Sequence, residues 1–245
     1  PMSDAASVTL RDGGTIVVPT GNGLSMYDKD GNLLWYTKLP GAETEPITGS
    51  PLVDSDGTSY VVGFSAAYAV DAGGAVLWSI AVPNSQYVQS HVAWSPTTDR
   101  LYFGCSNHTL FCVTRTGQIA WTFVVASQVI DASTLVLLDG TLVQSFGSSY
   151  YHVRDDVTVG TQLGSVNTGG DNDTPPVAWK DSNNLEHFLS NANGNTGVRS
   201  YRADTRALEW TYAMRKDESI PNSTAAIDKN GRIYVGDDDG NFHAF

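Results

Sequence analysis

The chain is poor in charge, in cysteine and in every feature that marks a membrane or nucleic-acid protein. Charged residues make up 16% of its 245 positions, and only 14 Lys and Arg stand against 26 Asp and Glu, a formal charge of −12. So acidic a chain repels a phosphate backbone and offers no basic stripe, so nucleic acid is not an expected partner. No apolar run approaches the roughly 18 residues that cross a bilayer, so no membrane insertion is expected. The start, PMSDAASVTL, has no basic region followed by a hydrophobic one. Pro1 ahead of Met2 reads as a remnant before a chosen start, with an upstream signal or domain removed. Compartment is therefore left open, with an extracellular or periplasmic placement slightly favoured over a cytoplasmic one.

Chemistry-bearing motifs are also missing. G-x-S-x-G, a P-loop, H-E-x-x-H and paired-cysteine metal spacing do not occur, and the five histidines are scattered. No catalytic residue, metal or cofactor is expected. The densest acidic run, Asp237-Asp238-Asp239-Gly240, suits a hairpin turn better than a calcium loop, whose ligands are spread over more residues. Only Cys105 and Cys112 are present. With the turn of their hairpin at SNH, they leave opposite faces and cannot bridge.

What the chain does contain is a repeat. Trp35, Trp78 and Trp121 are each 43 residues apart, and Trp210 lies 89 further on, about two periods. Tight-turn signals at Asp12-Gly13, Asp56-Gly57, Thr98-Asp99, Asp139-Gly140, Asn183-Asn184 and Asn230-Gly231 give six copies independently. Each copy reads as four short apolar strands separated by Gly, Asp and Asn turns, without helical periodicity. A four-stranded unit of this length, repeated, predicts an all-β fold, a β-propeller of about six four-stranded antiparallel blades. A single domain over 1–245 is expected, with blades near 5–40, 49–83, 91–126, 131–168, 174–214 and 223–245, the last lacking its outer strand within the chain.

Aligned, the tryptophan phrases are YDKDGNLLW, VDAGGAVLW, VTRTGQIAW and RADTRALEW. A residue that recurs once per blade serves what every blade shares, so Trp35, Trp78, Trp121 and Trp210 are assigned to docking of one blade on its neighbour rather than to a ligand. Trp94 and Trp179, each in VAW on a first strand, are read as core. Blade four lacks the tryptophan, reading TVGTQLGSV, and a looser blade edge is expected there.

These phrases, together with RIYVGDDDGNFHAF at the end of the chain, resemble the tryptophan-docking repeat of the PQQ-like, quinoprotein alcohol dehydrogenase-like propeller family. The resemblance implies the fold. The family's dehydrogenases hold a quinone beside a disulfide of adjacent cysteines and use calcium with an Asp base, and this chain has no adjacent cysteine pair and no carboxylate matched to those roles. It is similar in kind to the noncatalytic members, such as the scaffold lipoprotein of the outer-membrane assembly machinery.

The expected function is a noncatalytic interaction or scaffold module. Its partner is another protein or other domains of a longer parent chain, and the unfinished blade also invites self-association. The alternative is an enzyme or a sugar or quinone binder with a site at the channel mouth. Contact candidates are Asp171 and Asp173 in NTGGDNDTPP and Asn193 and Asn195 in NANGNTG, loops read as longer than their sisters.

Overall fold

The computed structural model describes residues 9–10, 14–41, 47, 49–63, 65–82, 90–126, 130, 132–191, 197–213, 224–237 and 240–245. The described residues contain no helix and form six antiparallel sheets, each a meander in sequence order. Sheet one comprises Thr9–Leu10, Ile16–Thr20, Gly23–Tyr27 and Leu33–Lys38. Sheet two follows with Leu52–Val53, Ser59–Val62, Ala66–Val70 and Val76–Ala81, and sheet three with Ala93–Ser95, Arg100–Cys105, Thr109–Thr114 and Ile119–Val124. Sheet four holds Leu135–Val136, Leu142–Phe146, Ser149–Asp155 and Gly160–Asn167, and sheet five Val177–Lys180, Glu186–Ser190, Gly197–Arg202 and Leu208–Ala213. The sixth has three strands, Ala226–Ile227, Ile233–Gly236 and Phe242–Ala244. The fold is a β-propeller.

The turns show why Asp and Gly recur. At Asp28 the backbone N–H donates to Asn32 O (2.9 Å), and Gly31 N–H donates back to Asp28 O (3.1 Å). The Asp28 carboxylate then accepts from the N–H groups of Asp30 and Asn32 at 2.9 and 2.8 Å. Asp54, Asp71, Asp181 and Asp228 repeat this arrangement, each accepting from the N–H groups two and four residues on. One carboxylate thus satisfies two donors that the tight turn would leave unpaired. The fourth position needs a left-handed backbone, and Gly31 and Gly117 take it at φ +85° and +84°.

A second device repeats in the outer strands. The register between third and fourth strand shifts once in each of the five four-stranded sheets, between Met26 and Tyr27, Ala69 and Val70, Cys112 and Val113, His152 and Val153, and Ser200 and Tyr201. The residue paired just before the shift faces Trp35, Trp78, Trp121, Gly164 or Trp210. Such a bulge bends the strand and re-aims its side chain. It also turns Leu34, Leu77 and Leu163, which precede these positions, outward to solvent.

With the outer ring aimed sideways, the two faces of each sheet become the core. Alternate residues of one sheet pack on the opposite set of the next, giving five apolar clusters, one for each successive pair of sheets. Cys105 belongs to the cluster of sheets two and three and Cys112 to that of three and four, so both stay free thiols on opposite faces.

Gly31 and Gly117 share one backbone conformation but differ in surroundings, since a methyl on Gly31 meets open space whereas one on Gly117 lies 2.6 Å from Cγ of Trp78. Gly31→Ala should therefore cost only the left-handed backbone penalty, about 1–2 kcal/mol. Gly117→Ala should cost that plus about 1–3 kcal/mol of overpacking. Denaturant unfolding of the two variants measures the difference, and equal costs would remove the tryptophan contact from the explanation.

Candidate functional site

In a four-stranded meander the first-to-second and third-to-fourth turns share one end, and the second-to-third turns and the links between sheets share the other. These are the paired-turn end and the link end. At the paired-turn end each outer-strand ring reaches the next sheet. Trp35 Nε1 donates to Ala72 O (3.0 Å) and Trp78 Nε1 to Arg115 O (2.8 Å), both in third-to-fourth turns. Trp121 Nε1 donates to Asp155 Oδ1 at 2.8 Å. The three indoles lie on Gly74, Gly117 and Gly160, where an added methyl would stand 2.9, 2.6 and 2.7 Å from the ring. Trp210 packs instead between Trp179 and Phe245, each at 6.1 Å.

Asp155 is the best-tied of these acceptors. Its carboxylate, 1% exposed, also accepts from Arg100 (2.9 Å), Tyr102 Oη (2.8 Å) and the N–H of Val157 (2.9 Å). Asp54 serves similarly in sheet two, accepting from Tyr60 Oη at 3.0 Å and from Arg115, which reaches it from the next sheet. Neither network was evident from the sequence, because the partners that reach across from another sheet lie 34 to 61 residues away.

Between sheets four and five the pattern inverts. Gly164 stands where the tryptophan is found elsewhere, paired with His152, and Arg206 stands where Gly74 and Gly117 stand. A methyl on Gly164 would lie 2.9 Å from Arg206 Nε. The large and small partners have thus changed sheets. Within its own sheet the outer strand shows no loosening: Gly160–Asn167 is eight residues long and pairs with the third strand from end to end around one bulge.

His152, fully buried beneath this contact, makes no hydrogen bond from either ring nitrogen and meets Phe188 edge-on at 5.3 Å. Burial, and then the charge of Arg206, push its pKa down to about 4, with Asp139 opposing. The equivalent positions in the other sheets are Met26, Ala69, Cys112 and Ser200.

Of the sequence-derived contact candidates, Asp171 is exposed and Asp173 half-buried in the link after sheet four. That link is pinned from within. Asn172 is buried and donates from its backbone N–H and its Nδ2 to Gly147 O, at 3.1 and 2.9 Å. Thr168 Oγ1 lies 3.0 Å from both Ser148 O and Asn172 Oδ1, and Arg199 donates to Thr168 O. Asn193 and Asn195 lie outside the described residues. So do Asp238 and Asp239, while Asp237 and Gly240 close a turn: Gly240 N–H donates to Asp237 O (3.2 Å) and Asn241 N–H to Asp237 Oδ1 (2.7 Å). His243 Nε2 lies 2.7 Å from Asp237 Oδ2, and that bond above all pulls the Asp237 carboxyl down to about 2. This pair spans one hairpin. Trp179 sits in the cluster of sheets five and six with Nε1 on Ser200 Oγ (3.0 Å), whereas Trp94 stays partly exposed, its Nε1 on Asp99 Oδ1 (3.1 Å).

No protein-family model and no curated protein matches the chain. Solved structures do match. BamB from Moraxella catarrhalis aligns with a TM-score of 0.74 at 17% identity, over 98% of this chain and 73% of that one. BBS1N, solved in complex with ARL6DN, aligns with a TM-score of 0.69 at 11% identity, over 94% and 74%. A protein of unknown function from Bacteroides caccae aligns with a TM-score of 0.61 at 14% identity, over 90% and 81%. At these identities the likeness establishes the propeller fold.

The depressed pKa of His152 makes stability depend on pH. A chain unfolded at pH 5 protonates the imidazole while the folded one does not, so stability is complete above the ordinary histidine range and is lost as pH falls from about 6.5 to 4. The loss amounts to roughly 2–4 kcal/mol. His152→Met, which copies sheet one, should flatten the stability profile across that window in denaturant titrations at pH 7, 5.5 and 4. An unchanged profile would mean that His152 is not the group responsible.

Proposed function

We propose that the chain is a PQQ-like propeller of the tryptophan-docking type, one domain over 1–245, acting as a noncatalytic protein-interaction scaffold. The observation that carries this reading is the way each sheet is locked to the next. Ring, glycine and hydrogen-bond acceptor tie sheets one to two, two to three and three to four, and Gly164 against Arg206 ties four to five, so turns and links at both ends are displayed on a packed frame. Binding surfaces in proteins are commonly loops held by such a frame.

The similarity to BamB and to BBS1N, the latter solved with another protein bound, supports the same reading at the level of fold. The buried titratable groups also fit it. Asp155, Asp54 and Asp237 each accept from structural donors within the sheets or between them. The pinned link bearing Asp171 and Asp173 is one contact surface in this reading, and the partner is another protein or another domain of a longer parent chain.

Photocrosslinking amino acids at positions 171 and 138, in the intact parent chain in its own cell, test the proposal. A protein adduct at one or both positions is expected. Adducts at neither, together with thermal stabilisation by a quinone or a sugar, would move the reading to a small-ligand binder.

A further inference from the structure

The face of sheet six that turns away from sheet five is open. Ile227, Ile233 and Val235 pack toward sheet five, so the alternate residues point the other way. Ala226, Tyr234 and Ala244 form one cross-strand row of that face, and Gly236 with Phe242 forms the next. The rings of Tyr234 and Phe242 join the two rows, stacked with centroids 5.9 Å apart. Phe242 is 73% exposed, and Ala226 and Ala244 are exposed with it. The matching residues of sheet two, Tyr60, Val62, Ala67 and Ala69, are buried under sheet three, as Tyr102, Leu110 and Cys112 are under sheet four.

Sheet one is open on its opposite side. Val17, Leu24 and Met26 pack toward sheet two, which leaves Ile16 with its register partner Tyr27, and Val18 with Ser25, on the other face. Ile16, Val18 and Tyr27 are partly exposed. Their counterparts Val61 and Val70 in sheet two, and Phe103 and Val113 in sheet three, are buried against the preceding sheet. Gly31 agrees: an added methyl meets open space there, whereas on Gly74 and Gly117 it meets the tryptophan of the sheet before. Among the described residues no apolar cluster joins sheet six to sheet one.

A polar pair marks the same two faces. In sheet two Asp54 accepts from the N–H groups of Asp56 and Thr58 and from Tyr60 Oη. It still takes Arg115, from the third-to-fourth turn of sheet three, which also donates to Tyr60 Oη at 3.1 Å. Sheet six repeats the acceptor: Asp228 accepts from the N–H groups of Asn230 and Arg232 at 2.8 and 3.0 Å and from Tyr234 Oη at 3.2 Å. Among the described residues no cation from another sheet reaches this pair. In sheet one Lys29 stands at the turn position of Arg115, 70% exposed and paired at the surface with its chain neighbour Asp30, a contact of little worth. Sheets two, four and five have Ala72, Asp155 and Ala203 at that position.

We propose that the chain associates head to tail with a second copy, the free face of sheet one in one molecule lying on the free face of sheet six in the next. Ile16, Val18 and Tyr27 cover Tyr234, Phe242 and Ala244, and Lys29 takes the place at Asp228 and Tyr234 that Arg115 takes at Asp54 and Tyr60. The tail calls for a sheet with a cation at that turn position and an uncovered apolar face. Sheet three has the cation, but its face lies on sheet two; sheet one has both. Because the two faces differ, the contact is heterologous, and each molecule can use both of its ends. The formal charge of −12 opposes the approach of copies at low salt, and screening relieves it. The contact is independent of the scaffold reading and of the link bearing Asp171.

Light scattering from the 245-residue chain over a concentration series should show a species that grows beyond the monomer, more so at ~0.15 M than at ~0.01 M salt. Phe242→Asp, which spoils the tail, and Lys29→Glu, which spoils the head, should each weaken association by about tenfold or more. Both side chains are exposed, and matching thermal melts confirm that the variants fold. Mixed together, the two variants should form a dimer that grows no further, because one keeps an intact head and the other an intact tail. A monomer at every concentration, association indifferent to either variant, or a mixture without dimer overturns the proposal. So does a disulfide formed within single chains by Lys29→Cys combined with Lys229→Cys, which would mean that the arc closes on itself. Association that disappears when flanking sequence of a longer parent chain is restored overturns it as well, by giving the two faces to other sheets of the same molecule.

Discussion

The structure depends on a contact between a large ring on one sheet and a residue without a Cβ on the next. A four-stranded sheet of five- or six-residue strands cannot bury its own faces, and its stability comes from lying against neighbours. Apolar burial brings two such sheets together but sets neither their lateral register nor their rotation. The outer-strand bulge aims the indole sideways, and the glycine of the following turn lets the ring lie directly on the backbone. A hydrogen bond from Nε1 to Ala72, Arg115 or Asp155 then fixes the position. Each step narrows the previous one, from a face, to a direction, to a single atom.

This also explains how far the architecture could be read from the sequence. The ring, the glycine and the turn aspartate answer to local backbone needs, so they recur at a constant interval and stand out against drift. The residues that settle individual interfaces do not. Asp155 looks like an ordinary turn acid until Arg100, Tyr102 and Trp121 are seen to converge on it. His152 looks like one of several scattered histidines until its pairing with Gly164 places it under Arg206.

The candidate surfaces were legible only in part. Length and composition marked the link holding Asp171 and Asp173, but only the fold shows that Asn172 faces inward and is tied to Gly147, which turns its neighbours toward solvent. Trp94 shares its VAW tripeptide with Trp179, yet the two differ in surroundings: Trp179 stacks on His187 and lies against Ser200 and Trp210, whereas Trp94 donates to the exposed carboxylate of Asp99.

The exchange of sizes at Gly164 and Arg206 bears on how the chain finds its order. Tandem copies that resemble one another invite mispairing, in which a sheet settles against the wrong neighbour or against its counterpart in another molecule. An outer strand with tryptophan laid against Arg206 would collide, and the strand with Gly164 laid against a glycine turn would leave a void. The interface between sheets four and five therefore works as a key cut differently from the rest. It marks one blade off from others built on the same plan.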